Sequence, residues 1–278
     1  MRSLNDTIRR TARKVLRAAA GYDPKYYDMY ADPDEAAFAS LYLERIRRRA
    51  EAAGIRPPAI VLEAGCQAGR LAIPLAKAGF RVTGVDASGF ALRRARANAR
   101  RAGVRARFIR GDILNVLRDP RHRYDIVICA EVLYLSPRYR EILAALARAV
   151  NPGGLLCVSH RPKMYYLLEA LRHGKAESAR RVLNAGEGSL DNPGSAGSYF
   201  NWQTDQELRV LYGALGLGAV EVYPIDQVFW LSGVAPSGLE ERARSLWLAA
   251  DLAVESVAGG PCSRYALVIA SKKNDQSD

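Results

Sequence analysis

Two apolar runs, 60–62 and 82–85, each close on an acidic residue, Glu63 and Asp86; between them lie a turn of small residues and a helix-forming stretch from Arg70 to Lys77. Runs of this length separated by a helix read as neighbouring parallel strands, because parallel strands need a crossover connection. The unit commits the chain to an α/β fold and puts its ligand site outside the carboxyl edge of the sheet. The turn narrows the ligand. A dinucleotide site uses G-x-G-x-x-G to bring backbone N–H groups and a helix N-terminus onto a pyrophosphate. Here Gln67 and Arg70 stand at the second and third glycine positions after Gly65. The turn is poor for pyrophosphate and suits a nucleoside ligand without phosphate.

The alternation continues along the chain. Strand 59–64 leads to helix 69–78, and strand 81–86 leads through Ser88, an N-cap, to helix 89–102 with Gly103 beyond its end. Strands at 105–110 and 124–130, a helix at 137–149 and a strand at 155–159 follow. After Ser159 the rhythm breaks. Helices near 162–172 and 175–185 and a Gly/Ser/Asn-rich loop at 187–198 precede helix 204–215. A second, mostly helical insertion at about 229–258 separates strand 219–224 from a last strand at 265–271. The organisation read from this is an N-terminal helical cap segment, 1–55, a ligand-binding domain, 56–271, with lid insertions at about 160–203 and 229–258, and a disordered tail, 272–278. Insertions at this edge of the sheet sit over the ligand and determine substrate choice. Residues 1–20 carry Leu4, Ile8, Ala12, Val15 and Ala19 on one helical stripe among basic residues, which suits a helix docked on its own domain or one lying on a membrane surface.

In this setting the segment Glu63-Ala64-Gly65-Cys66-Gln67-Ala68-Gly69 resembles motif I of the class I S-adenosylmethionine (SAM) methyltransferases, acid-x-G-x-G-x-G, with Gln67 departing at the middle glycine. Further landmarks fall in the family's order: Asp86, Gly111-Asp112, the strand at 124–130 running into Glu131, and Asn151-Pro-Gly-Gly154. The branch resembled is the small-molecule one, methyltransferase type 11/25. The resemblance implies a doubly wound α/β sheet of seven strands, order 3-2-1-4-5-7-6 with strand 7 antiparallel, and helical lid insertions. It implies SAM as cofactor. Glu63, Gly65, Cys66, Gln67 and Gly69 would lie along its methionine part. Asp86, with Ala87, would take the ribose hydroxyls, a carboxylate matching two O–H donors. Asp112, with Ile113, would meet the adenine, and Glu131 would flank the adenosine and the methyl-transfer pocket. Tyr26 or Tyr30, in a tyrosine-rich stretch, either covers the sulfonium by cation–π contact or packs under the N-terminal helix. The Asn/Asp-Pro-Pro-Tyr/Phe motif of base-amino methylators is absent after the fourth strand, which counts against nucleic-acid bases.

SAM already carries an activated methyl, so such a protein mainly aligns an acceptor lone pair behind it. A hydroxyl acceptor must lose a proton, and His160, just past the fifth strand, is the candidate base; the alternative for it is a strand-end histidine bonded to backbone. Tyr134, Arg161, Tyr199 and Trp202 are candidate pocket residues, Arg161 as a partner for an anionic group. The expected function is methyl transfer to a small-molecule hydroxyl. The alternatives are a small amine or sugar-linked amine as acceptor, a non-catalytic SAM-binding protein, or a nicotinamide-dependent oxidoreductase. The net charge of +12 comes largely from arginines on outward helix faces (only seven of the 41 basic residues are lysines), so it reads as a solvated surface rather than a nucleic-acid site. An anionic or lipid-like substrate, and weak peripheral membrane contact through residues 1–20, stay open. Three histidines with no ligand spacing and four cysteines without C-x-x-C point to no metal. The cysteines, the absence of an 18-residue apolar run and the absence of a signal-peptide core lead to the expectation of a cytoplasmic protein.

Overall fold

In the computed structural model, residues 28–191, 198–253 and 262–273 are described. The stripe at 1–20, Tyr26, residues 192–197 of the 187–198 loop and the extreme C-terminus lie outside them. The first helix, α1 (Pro33–Ala52), starts where Asp32 accepts the N–H groups of Asp34 and Glu35 and Pro33 supplies a fixed φ. Five parallel strands follow with their crossover helices: β1 (Ile60–Ala64), α2 (Ala72–Lys77), β2 (Arg81–Asp86), α3 (Gly89–Arg101), β3 (Arg107–Arg110), α4 (Ile113–Val116), β4 (Tyr124–Cys129), α5 (Tyr139–Ala149) and β5 (Val150–His160). Ser88 caps α3 by accepting the Ala91 N–H, and the helix turns Ala91, Leu92, Ala95 and Ala99 inward while Arg93, Arg94, Arg96, Arg100 and Arg101 stay exposed.

The first insertion contributes α6 (Lys163–Arg172), α7 (Ala176–Asn184) and a hairpin of β6 (Glu187–Leu190) with β7 (Ser198–Asn201). The chain returns through α8 (Asp205–Gly213), opened by a Thr204–Glu207 capping box, to β8 (Leu217–Ile225). The second insertion holds α9 (Val228–Ser232) and α10 (Glu241–Ala253), and β9 (Tyr265–Lys272) closes the sheet. Lys272, expected in a disordered tail, is instead paired with Leu217 in the last strand.

The main sheet has the order β3-β2-β1-β4-β5-β9-β8, with β9 antiparallel to both its neighbours. Apart from the two lid strands counted in between, this is the order the sequence implied. Its strands are buried on both faces, as a parallel sheet between helix layers requires. Val61, Ile126, Ile128, Cys157 and Ile269 face α1, α2 and α3, while Leu62, Val127, Cys129, Val158 and Val268 face α5 and α8. At about 25 cal/mol per Å2 of buried apolar area, these two layers hold the fold. The second insertion packs on α1, where Phe38 meets Phe229 edge-on at 5.9 Å and Arg45 donates to the Leu252 carbonyl at 2.8 Å. The two insertions meet at Trp230, 5.3 Å from the Tyr165 ring and within reach of Glu169. No helix among the described residues is long and apolar enough to cross a membrane.

Candidate functional site

The turn after β1 folds back over the end of β2. The N–H groups of Gly65 and Cys66 both donate to the Val85 carbonyl, at 2.7 and 3.0 Å, and the Gly69 N–H closes onto the Cys66 carbonyl at 2.8 Å. Gly65, Gln67 and Gly69 all have positive φ, at 81°, 43° and 90°. A side chain at Gly65 would overlap the Val132 methyl, so the residue is glycine for space as well as for φ. Asp86 locks the turn: one oxygen accepts the Gln67 N–H at 2.9 Å and the other the Ser88 N–H at 2.7 Å. Each oxygen keeps a second lone pair. Asp112, at the end of β3, uses one oxygen on the Leu114 N–H at 2.9 Å.

These groups open onto a cavity of about 500 Å3. Glu63, Gly65, Cys66, Gln67, Asp86, Ala87, Asp112, Ile113 and Glu131, all named from the sequence, line it, joined by Met29, Arg70 and Tyr134 among others. Gly69 supports the turn from behind, against Ile73. Tyr30 packs against the core beside the cavity instead of lining it; its neighbour Met29 takes that place, its N–H donating to the Gln67 side-chain oxygen.

Two residues at this cavity do more structural work than the sequence indicates. Glu63 is buried and accepts the Ala72 N–H at 2.7 Å, filling the N-terminus of α2. Burial pushes its carboxyl up to about 8, partly opposed by the N–H groups of Ala72 and Leu71 and by Arg70, so it is largely protonated at neutral pH. Arg70 is 6% exposed and bridges Glu35 on α1 at 2.5 Å and Glu131 at 2.6 Å, its guanidinium 5.7 Å from the Tyr42 ring. Burial opposes its charge, but Glu131, Tyr42 and Glu35 together hold it above the usual guanidinium range. Burial also raises Glu35, with Arg70 opposing. Glu131 itself has a φ of 61° and donates its N–H to the Ser159 hydroxyl at 2.6 Å. Sequence reasoning found Glu131 by motif and missed Glu35, whose partner lies 35 residues along the chain.

A second cavity of about 440 Å3 shares Tyr134 with the first and continues under the first insertion. Arg161, Tyr165, Tyr166, Glu169 and Phe200 are in its wall. Tyr134 and Arg161 are therefore where the sequence put them, but Tyr199 and Trp202 are not. The segment that opens a helix in the sequence reading is the strand β7, whose alternation sends Ser198 and Phe200 to the cavity. The Tyr199 hydroxyl donates to Glu187, and Trp202 is fully buried, its indole N–H on the Ala185 carbonyl at 2.6 Å.

His160 lies in neither cavity. It is fully buried on the far face of β5, its Nε2 2.9 Å from the Tyr212 hydroxyl of α8, and burial lowers its pKa to about 3. A ring sealed beneath the sheet cannot reach an acceptor proton, so the general-base expectation is withdrawn on geometry. The cysteines behave as small core residues: Cys66, Cys129 and Cys157 are buried free thiols, each raised by burial, and Cys262 is also free.

Comparison with known proteins places this architecture. A methyltransferase domain family model matches residues 61–154. A ubiquinone biosynthesis O-methyltransferase of Bordetella avium is 30% identical over 204 residues, 71% of this chain and 78% of that protein. One from Rickettsia conorii is 33% identical over 110 residues, but there the match spans only 39% of this chain and 37% of the relative's length. Among solved structures, magnesium protoporphyrin IX methyltransferase from Synechocystis PCC 6803, crystallised with SAH, superposes with a TM-score of 0.56 at 18% identity, covering 95% of this chain and 94% of that one. At that identity the likeness concerns the fold.

Proposed function

The chain belongs to the class I SAM-dependent methyltransferases, type 11/25 branch, and we propose that it moves the methyl group of SAM onto an oxygen of a small molecule seated in the second cavity. The observation that carries this reading is the charge of the first cavity. Asp86, Asp112 and Glu131 line it against one guanidinium, Arg70, which is itself shared with Glu35. An acidic lining suits a cofactor that carries a sulfonium and an ammonium and disfavours one that carries phosphate. The nicotinamide alternative loses further ground at α2: its first N–H groups, which a pyrophosphate would need, are taken by Glu63.

The residues fit the cofactor in detail. Asp86 is held at both oxygens by backbone N–H groups and has lone pairs left for the ribose hydroxyls. Asp112 and Ile113 would meet the adenine, while Gly65, Cys66 and Gln67 present the close-packed backbone along the methionine end. When bound, SAM supplies an electrophilic methyl on a sulfonium. The chain's own part is to align the acceptor and exclude water, with Tyr134 forming the wall between the two cavities. Oxygen as the acceptor atom is supported by the relatives named O-methyltransferases. Free cysteines, three of them buried, fit a cytoplasmic, reducing compartment.

The test is transfer of isotope-labelled methyl from SAM into a host-cell extract separated into lipid, nucleic-acid, protein and small-polar fractions, with Asp86→Ala as control. Label in the small-polar or lipid fraction, lost in the control, is the expected result. Label confined to protein or nucleic acid would sink the small-molecule reading. SAM binding without transfer to any fraction would favour a non-catalytic binding protein.

A further inference from the structure

The second cavity holds a cation, Arg161, that no carboxylate among the described residues neutralises. Arg161 leaves the end of β5, and its guanidinium lies among three tyrosine rings, 4.2 Å from the centroid of Tyr165, 4.6 Å from Tyr265 and 4.9 Å from Tyr134. One N–H donates to the Tyr265 hydroxyl at 2.9 Å, while Nε is buried without a partner. Among the described residues no carboxylate pairs with it; the groups that hold it protonated against burial are tyrosines. Other arginines near the site differ, buried Arg70 having Glu35 and Glu131, and the partly exposed Arg264 having Asp226.

A half-buried guanidinium whose Nε is sealed without a partner, and which has no counter-ion among the described residues, is costly, and three aromatic faces offset only part of that. An incoming anion would remove the rest. Other charges in the wall are already matched: Lys175 pairs with Asp191 at 3.3 Å, and Glu169 is bonded to Arg172 at 3.0 Å and to the Trp230 indole at 3.3 Å, which leaves Arg161 as the charge in the wall without an ionic partner among the described residues. The Tyr166 hydroxyl, buried and without a partner, is a further donor for an acceptor oxygen.

Resting on the methyltransferase reading of the first cavity, we infer that the second cavity takes its acceptor as an oxyanion, a carboxylate or phenolate on a flat aromatic skeleton, with Arg161 as its counter-ion. The flat skeleton is inferred from the composition of the wall, which is aromatic at Tyr134, Tyr165, Tyr166 and Phe200. Position follows from Tyr134, which borders both cavities, so an anion on Arg161 lies beside the wall through which the methyl must pass. Arg161 thereby takes over the task expected of His160. An acceptor that arrives ionised has its lone pair free and no proton to surrender. The acceptor oxygen forms a bond to the methyl carbon, the carbon–sulfur bond breaks with its electron pair returning to sulfur, and the negative and positive charges cancel. No acid, base or further reactant is required.

The test uses the full chain and pairs of aryl acids with their neutral amides, benzoate with benzamide and salicylate with salicylamide, together with para-nitrophenol, whose ionised form is coloured. At least one acid should bind about tenfold or more tightly than its amide in calorimetry. Bound para-nitrophenol should ionise at lower pH than free, read from the phenolate absorbance. Arg161→Met should erase both effects and Arg161→Lys retain part of them, while SAM affinity, measured in the same samples, stays unchanged and reports the fold. Acids that bind no better than amides, or discrimination that survives Arg161→Met, overturn the assignment. If both variants fail to fold, the wild-type acid–amide comparison and the nitrophenol titration decide it. Loss of SAM binding with the acid preference intact would sink the methyltransferase reading and leave the anion site standing.

Discussion

His160 shows how a sequence position misleads at the scale of one residue. It ends the fifth strand, where an acceptor passes close by, but a strand sends alternate side chains to opposite faces. Ser159 points to the cofactor side and bonds the Glu131 N–H, while His160 points under the sheet to Tyr212. Asp86 and Asp112 were legible because each closes a strand at the carboxyl edge, where position along the chain fixes position in space. Arg161 was legible as a cation beside the pocket, but its lack of a carboxylate partner among the described residues was not. The burial of His160 has a measurable consequence. Its pKa falls from the ordinary value near 6.5 to about 3, so the fold requires the neutral ring. The stability this reflects is present above pH ~6.5 and is lost as pH drops toward 3, because the unfolded chain binds the proton first. His160→Gln keeps a hydrogen-bonding group for Tyr212 but cannot titrate. The variant should therefore lose less stability than wild type between pH ~6.5 and ~3, a difference on the order of a few kcal/mol in urea titrations. It should also keep methyl transfer within a few-fold. Parallel stability curves would contradict the buried neutral ring, and a loss of transfer beyond about a hundredfold would restore the base.

At the scale of elements, strand–helix alternation carried the core, and the near-continuous burial of β1, β4 and the second half of β5 bears it out on both faces. The hairpin β6/β7 was missed because each strand has four residues, a length at which strand signals are weak, and β6 lies within the Gly/Ser/Asn-rich stretch itself. What the sequence could not supply is how α1 docks. Arg70 sits in the turn after β1 but reaches Glu35 on α1 and Glu131 beyond β4, tying three elements through one guanidinium. Removing one member leaves a buried charge without its partner, which costs about 3–5 kcal/mol in comparable pairs, whereas removing both leaves less to compensate. Glu35→Gln and Arg70→Met should each lower the denaturation midpoint, and the double variant should lose clearly less than the two together. Strict additivity in that cycle would mean that the bridge does not couple α1 to the turn.

At the scale of the molecule, the site is assembled from contacts that no local pattern encodes. Arg161 meets Tyr265 across 104 residues, Arg45 reaches Leu252 across 207, and the cofactor cavity draws Asp86, Asp112 and Glu131 from three connections of one sheet edge and Met29 from the segment ahead of α1. The sequence identified the sheet edge through the strand order that the resemblance of its motifs to the class I methyltransferases implies. It could not identify the pairing of insertions with α1, which depends on side-chain shape rather than periodicity. A ligand bound where these segments converge should stabilise the whole chain. At a concentration a hundred times its Kd, a ligand that binds only the folded state adds about 2.7 kcal/mol. For a chain of this size that raises the melting temperature by about 5–10 °C. SAM should produce a rise of this order in wild type. In Asp86→Ala the same concentration should produce little or none, while the unliganded melting temperature drops only modestly, because the carboxylate's loss frees two N–H groups near solvent. Scanning calorimetry with and without SAM separates the outcomes. Equal rises in both proteins would take the ribose role from Asp86, and no rise in either would mean that the acidic cavity does not hold this cofactor.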